Sequence, residues 1–330
     1  GRTFYTSNAG LPELKQEVAN YYQRRQGITY DAKTETFITV GGSEAIDMAL
    51  RAMADPGDEV IIPEPCYVSY VPCAAMTGAV PVTIPLKAEN EFKLTAEELL
   101  DAITDKTRIL MLAFPNNPTG AVMTREELEP IAKICIEKDI YVISDEIYAE
   151  LTYSGEHVSI AALPGMRERT VVINGFSKAY AMTGWRLGFV AGPQLIVSQM
   201  VKLHQFAIMC APTTSQYAGL EALKNGDQDI AVMRESYNQR RRYVVNSLNE
   251  MGLDCFEPFG AFYVFPCIKS LDMTSEEFAN RLLEAEKLAV VPGTAFGACG
   301  EGFIRISYAY SFDELKEALS RIKHFISTLK

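Results

Sequence analysis

Residues 108–114 (RILMLAF) carry six consecutive apolar side chains after a single arginine. A strand with no polar face has to be covered on both sides, as happens inside a parallel sheet flanked by helices. The same rhythm extends in both directions along the chain. Residues 36–40, 59–62, 140–144, 170–174 and 187–191 read as further strands, and 43–53 and 124–139 as amphipathic helices between them. Thr124 is placed to cap the second helix, with Glu127 three residues on completing a capping box. Strands alternating with helices predict a mostly parallel α/β sheet with helices on both faces. In such sheets ligands collect beyond the carboxyl ends of the strands.

The pattern changes after about residue 225. Residues 227–251 read as one long helix rich in Arg and Glu, closed by Gly252. Beyond it, 261–266 and 303–307 read as strands and 275–286 and 312–329 as helices. The expected organisation is a large domain over 1–227, an interdomain helix over 228–251 and a smaller α+β domain over 252–330, a division that suits a chain of 330 residues. The formal net charge of −11 argues against nucleic acid and anionic membrane surfaces as partners. No apolar stretch is long enough to span a bilayer. The seven cysteines, odd in number and without CxxC spacing, read as reduced thiols of a cytoplasmic protein. The opening Gly1-Arg-Thr-Phe has no initiator Met and no lead-in element, so residues upstream are expected to be missing.

The most informative string for chemistry is Ser177-Lys178-Ala-Tyr-Ala-Met-Thr-Gly184-Trp185-Arg186-Leu-Gly188, just after the strand at 170–174. Burial disfavours the ammonium form of a lysine, and a neutral amine can attack an aldehyde to form an imine. Arg186 and the Ser177 hydroxyl are suited to gripping a phosphate. Upstream, the strand at 140–144 delivers Asp145, a carboxylate that is costly at a buried strand end unless it faces a cation. Gly41-Gly42-Ser43-Glu44 lies between a strand and a helix, where glycines permit close approach and amides bind phosphate.

The lysine string resembles the signature of the class I and II aminotransferases, the fold-type I pyridoxal-phosphate enzymes. The resemblance extends over the chain in the expected order, apart from the family's N-terminal arm and first small-domain segment. It implies a large domain with a seven-stranded, mostly parallel sheet sandwiched by helices, and pyridoxal 5'-phosphate held as a Schiff base on Lys178. Asp145 of Asp145-Glu-Ile-Tyr148 then keeps the cofactor's ring nitrogen protonated, and Tyr148 donates to its 3-oxygen. Asn117, before Pro118 in Asn116-Asn117-Pro-Thr-Gly120, is expected at the same oxygen and at the substrate carboxylate. Gly42, with the amides of Ser43 and Glu44, and Ser177 and Arg186 take the phosphate. Tyr67 stacks on the ring. Tyr5, in a Y-x-x-x-x-G-x-x-x-L string, reaches the phosphate of a neighbouring subunit, which implies a homodimer with shared active sites. Arg305, in R-x-S-x-A, holds the substrate α-carboxylate and is brought to it by domain closure.

The activity so implied moves an amino group from an L-amino acid to a 2-oxo acid in two half-reactions, with Lys178 as proton carrier. Some dicarboxylate-specific relatives carry lysine where this chain has Ser43, which disfavours a strict aspartate enzyme and leaves aromatic, branched and alanine substrates open. Two alternatives share the resemblance: a carbon–sulfur β-lyase using the same lysine and arginine, and an aminotransferase-like sensor domain of a transcription regulator. No motif for a metal is present.

Overall fold

The computed structural model describes residues 1 and 3–329. Its main sheet consists of β1 (Thr36–Thr39), β2 (Glu59–Glu64), β3 (Val80–Pro85), β4 (Thr107–Leu112), β5 (Tyr141–Asp145), β6 (Thr170–Gly175) and β7 (Gly188–Ala191). In space they run β1-β7-β6-β5-β4-β2-β3. β2 to β6 pair in parallel, whereas β7 is antiparallel to both β6 and β1. Two reversals restore the direction of β1, so every strand but β7 points its carboxyl end to one edge. β7, running the other way, starts at that same edge and delivers the residues preceding it there.

The helices are α1 (Pro12–Gln26), α2 (Gly41–Met53), α3 (Tyr70–Met76), α4 (Ala96–Ala102), α5 (Arg125–Glu137), α6 (Gln194–Ala207), α7 (Thr213–Asn225), α8 (Asp227–Glu250), α9 (Ser275–Glu286) and α10 (Phe312–Thr328). Alternate strand residues feed two cores. Leu110, Leu112 and Val142 pack with α4 and α5 through Leu99, Leu128 and Ile131. Ile109, Met111 and Ile143 pack with α2 and α6 through Ile46, Ala49, Val197 and Met200. A third cluster joins α1 and α7 to β1, β6 and β7 through Leu14, Val18, Leu223, Ile38 and Phe189. The double covering explains the absence of polar alternation in β4 and β6.

The period-2 rule places Asp145 on the face of Ile143, toward α2, and Ser144 and Glu146 on the other. The capping box on α5 is present: the Thr124 hydroxyl accepts from Glu127 N–H, and the Glu127 carboxylate accepts from Thr124 N–H.

Beyond α8 a small antiparallel sheet has the order β8-β10-β9, formed by β8 (Tyr263–Val264), β9 (Val291–Pro292) and β10 (Ile304–Ser307). It packs on α8, α9 and α10 through Val244, Leu248, Phe278, Leu282, Ile322 and Phe325. Several sequence expectations shift. The helix read as 43–53 begins two residues earlier, at Gly41, so Ser43 lies inside its first turn and is not its N-cap. The strand read as 261–266 shortens to two residues, because Ala261 has φ +57°, outside the β region. β3 and β9 were not read at all.

Candidate active site

The carboxyl edge of the main sheet and the small sheet enclose a cavity of about 320 Å³. Lys178 lines it just beyond β6, Asp145 at the end of β5, and Asn117 beyond β4. Gly42 and Ser43 come from the start of α2, and Tyr67 from the segment after β2. Ser177 and Arg186, flanking the reversal into β7, complete the side formed by the main sheet, while Tyr148 follows β5 and Arg305 comes from β10. Residues from position 42 to position 305 of the sequence therefore meet because their strands end at one edge.

Each of these groups carries a mark of its setting. Asp145 is 6 % exposed. It accepts from the Tyr70 hydroxyl at Oδ2 (2.7 Å) and from Ile147 N–H at Oδ1 (3.1 Å). Burial raises its carboxyl above the ordinary range, opposed by those two bonds and by the charge of Lys178. Lys178 Nζ sits 5.6 Å from the centre of the Tyr148 ring and 5.5 Å from that of Phe262. Burial, joined by the charges of Arg305 and Arg186, holds its amine below the ordinary lysine range, against the pull of Asp145. A neutral amine there is a nucleophile and a proton acceptor.

At one end of the cavity Gly41 has φ +77°, and a Cβ there would fall 2.7 Å from Arg186 Nη2. Only glycine lets the chain turn into α2 so close to that guanidinium. Arg186 Nη1 donates to Thr183 O (3.0 Å), and Ser43 lies opposite in the first turn of α2. A helix start, a hydroxyl and a guanidinium together suit a dianionic phosphate. At the other side Arg305 Nη1 donates to Asn117 Oδ1 (2.9 Å). The guanidinium carbon lies 4.5 Å from the Tyr263 ring centre and 4.7 Å from that of Phe296. Arg305 Nε is buried and has no hydrogen-bond partner among the described residues. A half-buried cation with a buried, unused donor is suited to a carboxylate. Phosphate donors, a carboxylate for a protonated ring nitrogen, a depressed lysine and aromatic walls fit pyridoxal phosphate.

Tyr5, expected at the phosphate of a neighbouring subunit, is 77 % exposed and off this cavity's wall. Glu44 is expected at the phosphate through its backbone amide alone. The Glu44 side chain turns back from the cavity: it accepts from Val40 N–H (2.5 Å) and pairs with His204 Nδ1 (2.5 Å). Two residues of the site went unassigned in the sequence. One is Tyr70, which holds Asp145. The other is Tyr263, whose hydroxyl shares a hydrogen bond with that of Tyr148 (2.9 Å). Tyr70 stands three residues after Tyr67 in Pro63-Glu-Pro65-Cys66-Tyr67-Val-Ser-Tyr70, one turn away, and that spacing is its only signal in the sequence. A second cavity of about 390 Å³, lined by Ser144, His157, Arg125, Glu126 and Glu156 among apolar residues, contains none of these groups.

The chain matches the family described as Aminotransferase class I and II over residues 1–322. It is 53 % identical over 326 residues to the putative aminotransferase YugH of Bacillus subtilis (strain 168), with 99 % of this chain and 84 % of that protein covered. It is 44 % identical to aromatic-amino-acid aminotransferase 2 of Thermococcus litoralis, covering 100 % and 86 %. Among solved structures, that of the aromatic aminotransferase from Pyrococcus horikoshii OT3 superposes with TM-score 0.98 at 45 % identity, covering 100 % of this chain and 90 % of that one. Thermus thermophilus aspartate aminotransferase with maleate superposes with TM-score 0.95 at 39 % identity, covering 98 % and 84 %.

Proposed function

The chain belongs to the class I and II aminotransferases, enzymes that use pyridoxal phosphate to transfer amino groups between small amino and 2-oxo acids, and from that premise we propose a role for each residue of the cavity. Bound pyridoxal phosphate supplies an electron-accepting ring next to the substrate's α-carbon. Lys178 carries the covalent link and, when released, moves the α-proton. Asp145, oriented by Tyr70, keeps a proton on the ring nitrogen. Tyr148 and Asn117 address the 3-oxygen. Gly42, Ser43, the amide of Glu44, Ser177 and Arg186 seat the phosphate, and Tyr67 covers the ring. Arg305 takes the substrate carboxylate together with Asn117. Residues 1–227 act as the cofactor domain, 228–251 as the connecting helix and 252–330 as the small domain.

The observation that carries this reading is the 2.9 Å bond from Arg305 to Asn117 across the cavity from a depressed Lys178. Sequence reasoning expected domain closure to bring Arg305 in; here it already meets Asn117. A carboxylate held at Arg305 would present its α-proton to Lys178.

The substrate side chain is uncharged in this reading. Among the described residues lining the cavity the cations are Lys178, Arg186 and Arg305, and each already has a task. Position 43 offers a hydroxyl instead of a fourth. The enzyme works as a homodimer in the cytoplasm. Seven free thiols fit a reducing compartment, and among the described residues no helix is long and apolar enough to cross a membrane. The test is a screen of amino donors against pyruvate, an acceptor whose side chain is likewise uncharged. Aromatic or aliphatic donors are expected to give a kcat/KM at least about tenfold above aspartate, the worth of one unpaired charge at a partly buried site. Aspartate as the best donor contradicts the uncharged-substrate reading.

A further inference from the structure

We propose that Tyr263 is a positioning residue that ties the seat of the substrate carboxylate to the tyrosine facing the cofactor's 3-oxygen. The inference rests on the roles given above to Tyr148 and Arg305. Tyr263 is on β8, opposite Ser307 of β10 and diagonal to Arg305. Residues 305 and 307 share a face of the small sheet, so the Tyr263 ring comes up against the guanidinium. Its hydroxyl continues past that contact to the hydroxyl of Tyr148, 2.9 Å away, while the two rings meet edge to face at 5.9 Å. Tyr263 thus has one end on each of two groups that lie on different domains.

The direction of the shared hydrogen bond follows from proton counting. A phenol has one proton to give. When Tyr148 gives its own to a negative oxygen, its oxygen is left as an acceptor, and Tyr263 becomes the donor. Burial lifts both phenols above the ordinary range, with the charge of Arg305 opposing it at each, so both keep their protons and the pair has two to give. Two donors in series polarise one another, and the bond from Tyr148 to the cofactor is the stronger for it.

The experiment is a pH titration of the visible absorbance of the cofactor-loaded enzyme, in wild type, Tyr263→Phe, Tyr148→Phe and the double variant. A donor at the 3-oxygen stabilises the negative charge left there when the neighbouring proton departs, so weakening it moves the midpoint to higher pH. Tyr263→Phe keeps the ring under Arg305 and removes only the donor. Its midpoint is expected to rise by roughly half to one pH unit, the scale of one hydrogen bond. In the Tyr148→Phe background the same change is expected to add nothing. Tyr263→Leu, which also removes the ring beneath Arg305, is expected to raise KM for amino and oxo acid alike, several-fold beyond Tyr263→Phe. A shift in Tyr148→Phe with none in Tyr263→Phe overturns this proposal alone. Equal shifts from Tyr263→Phe in both backgrounds do the same, since they locate its effect outside Tyr148. A midpoint untouched by Tyr148→Phe overturns the role of Tyr148 and this proposal with it.

Discussion

Lys178 reacts only as the free amine, and burial with Arg305 and Arg186 nearby favours that form. Protonation of the folded chain at this site is therefore complete only below the ordinary lysine range. Capture of pyridoxal phosphate by the apo-enzyme, followed over short times, is expected to rise with pH and reach half its maximum below pH 10.5, the ordinary value. A midpoint at or above that value contradicts the assigned environment. Ser43→Lys places an ammonium on the cavity wall. It is expected to raise kcat/KM for aspartate about tenfold, the scale of one charge-assisted contact, and to lower it for apolar donors; steady-state rates with both donors decide this. Lys178, Asp145, Asn117, Arg186 and Arg305 were legible because each sits in a string whose order is informative. Tyr70 and Tyr263 were not. Their partners are 75 and 115 residues away, and a hydrogen bond across that distance leaves no local trace in one sequence.

Two elements carry the site and can be tested separately. The first turn of α2 depends on Gly41, whose φ of +77° strains any side chain and where a Cβ would push the end of Arg186 aside. Gly41→Ala is expected to weaken cofactor retention at least about tenfold by displacing Arg186, with strain on the order of 1–2 kcal/mol in the turn itself; equilibrium dialysis measures the retention. The capping box of α5 lies outside the cavity wall. Thr124→Ala is expected to cost about 1 kcal/mol of stability and leave kcat unchanged, read by thermal unfolding beside steady-state kinetics. The strands buried on both faces were readable because nothing else explains an unbroken apolar run. β3 (VPVTIP) was missed: it is an edge strand with two prolines, and only Ile84 of its six residues is buried, too little to impose a pattern. β9 has two residues, too few for any periodicity. The start of α2 was misplaced because two glycines argue for a loop, and only the tertiary setting makes them helical.

For the whole molecule, the division into a large parallel sheet and a smaller antiparallel one was legible from the loss of β-α rhythm after α7. The meeting of the two sheets at Asn117 and Arg305 was not, since no local pattern states how two layers are docked. The surface near the cavity argues for a second copy of the chain. Phe206 is 86 % exposed, with Tyr5, Phe4, Trp185 and Met209 also open to solvent. Thr213 Oγ1 donates to Phe4 O (2.7 Å) and Ser215 Oγ to Trp185 O (2.8 Å), which joins the first residues, the loop of Trp185 and the start of α7 in one region. In the proposed homodimer this exposed apolar surface would be covered by the second copy. Phe206→Asp is expected to halve the mass seen by sedimentation and to loosen the cofactor, because Tyr5 of the second copy would leave the phosphate; a wild-type monomer of full activity contradicts the shared site. The most direct test of the account is covalent. Load the enzyme with pyridoxal phosphate, reduce with borohydride, digest, and map the adduct by mass spectrometry. A single label on Lys178 is the expected result; a label on another lysine, or none, contradicts the account.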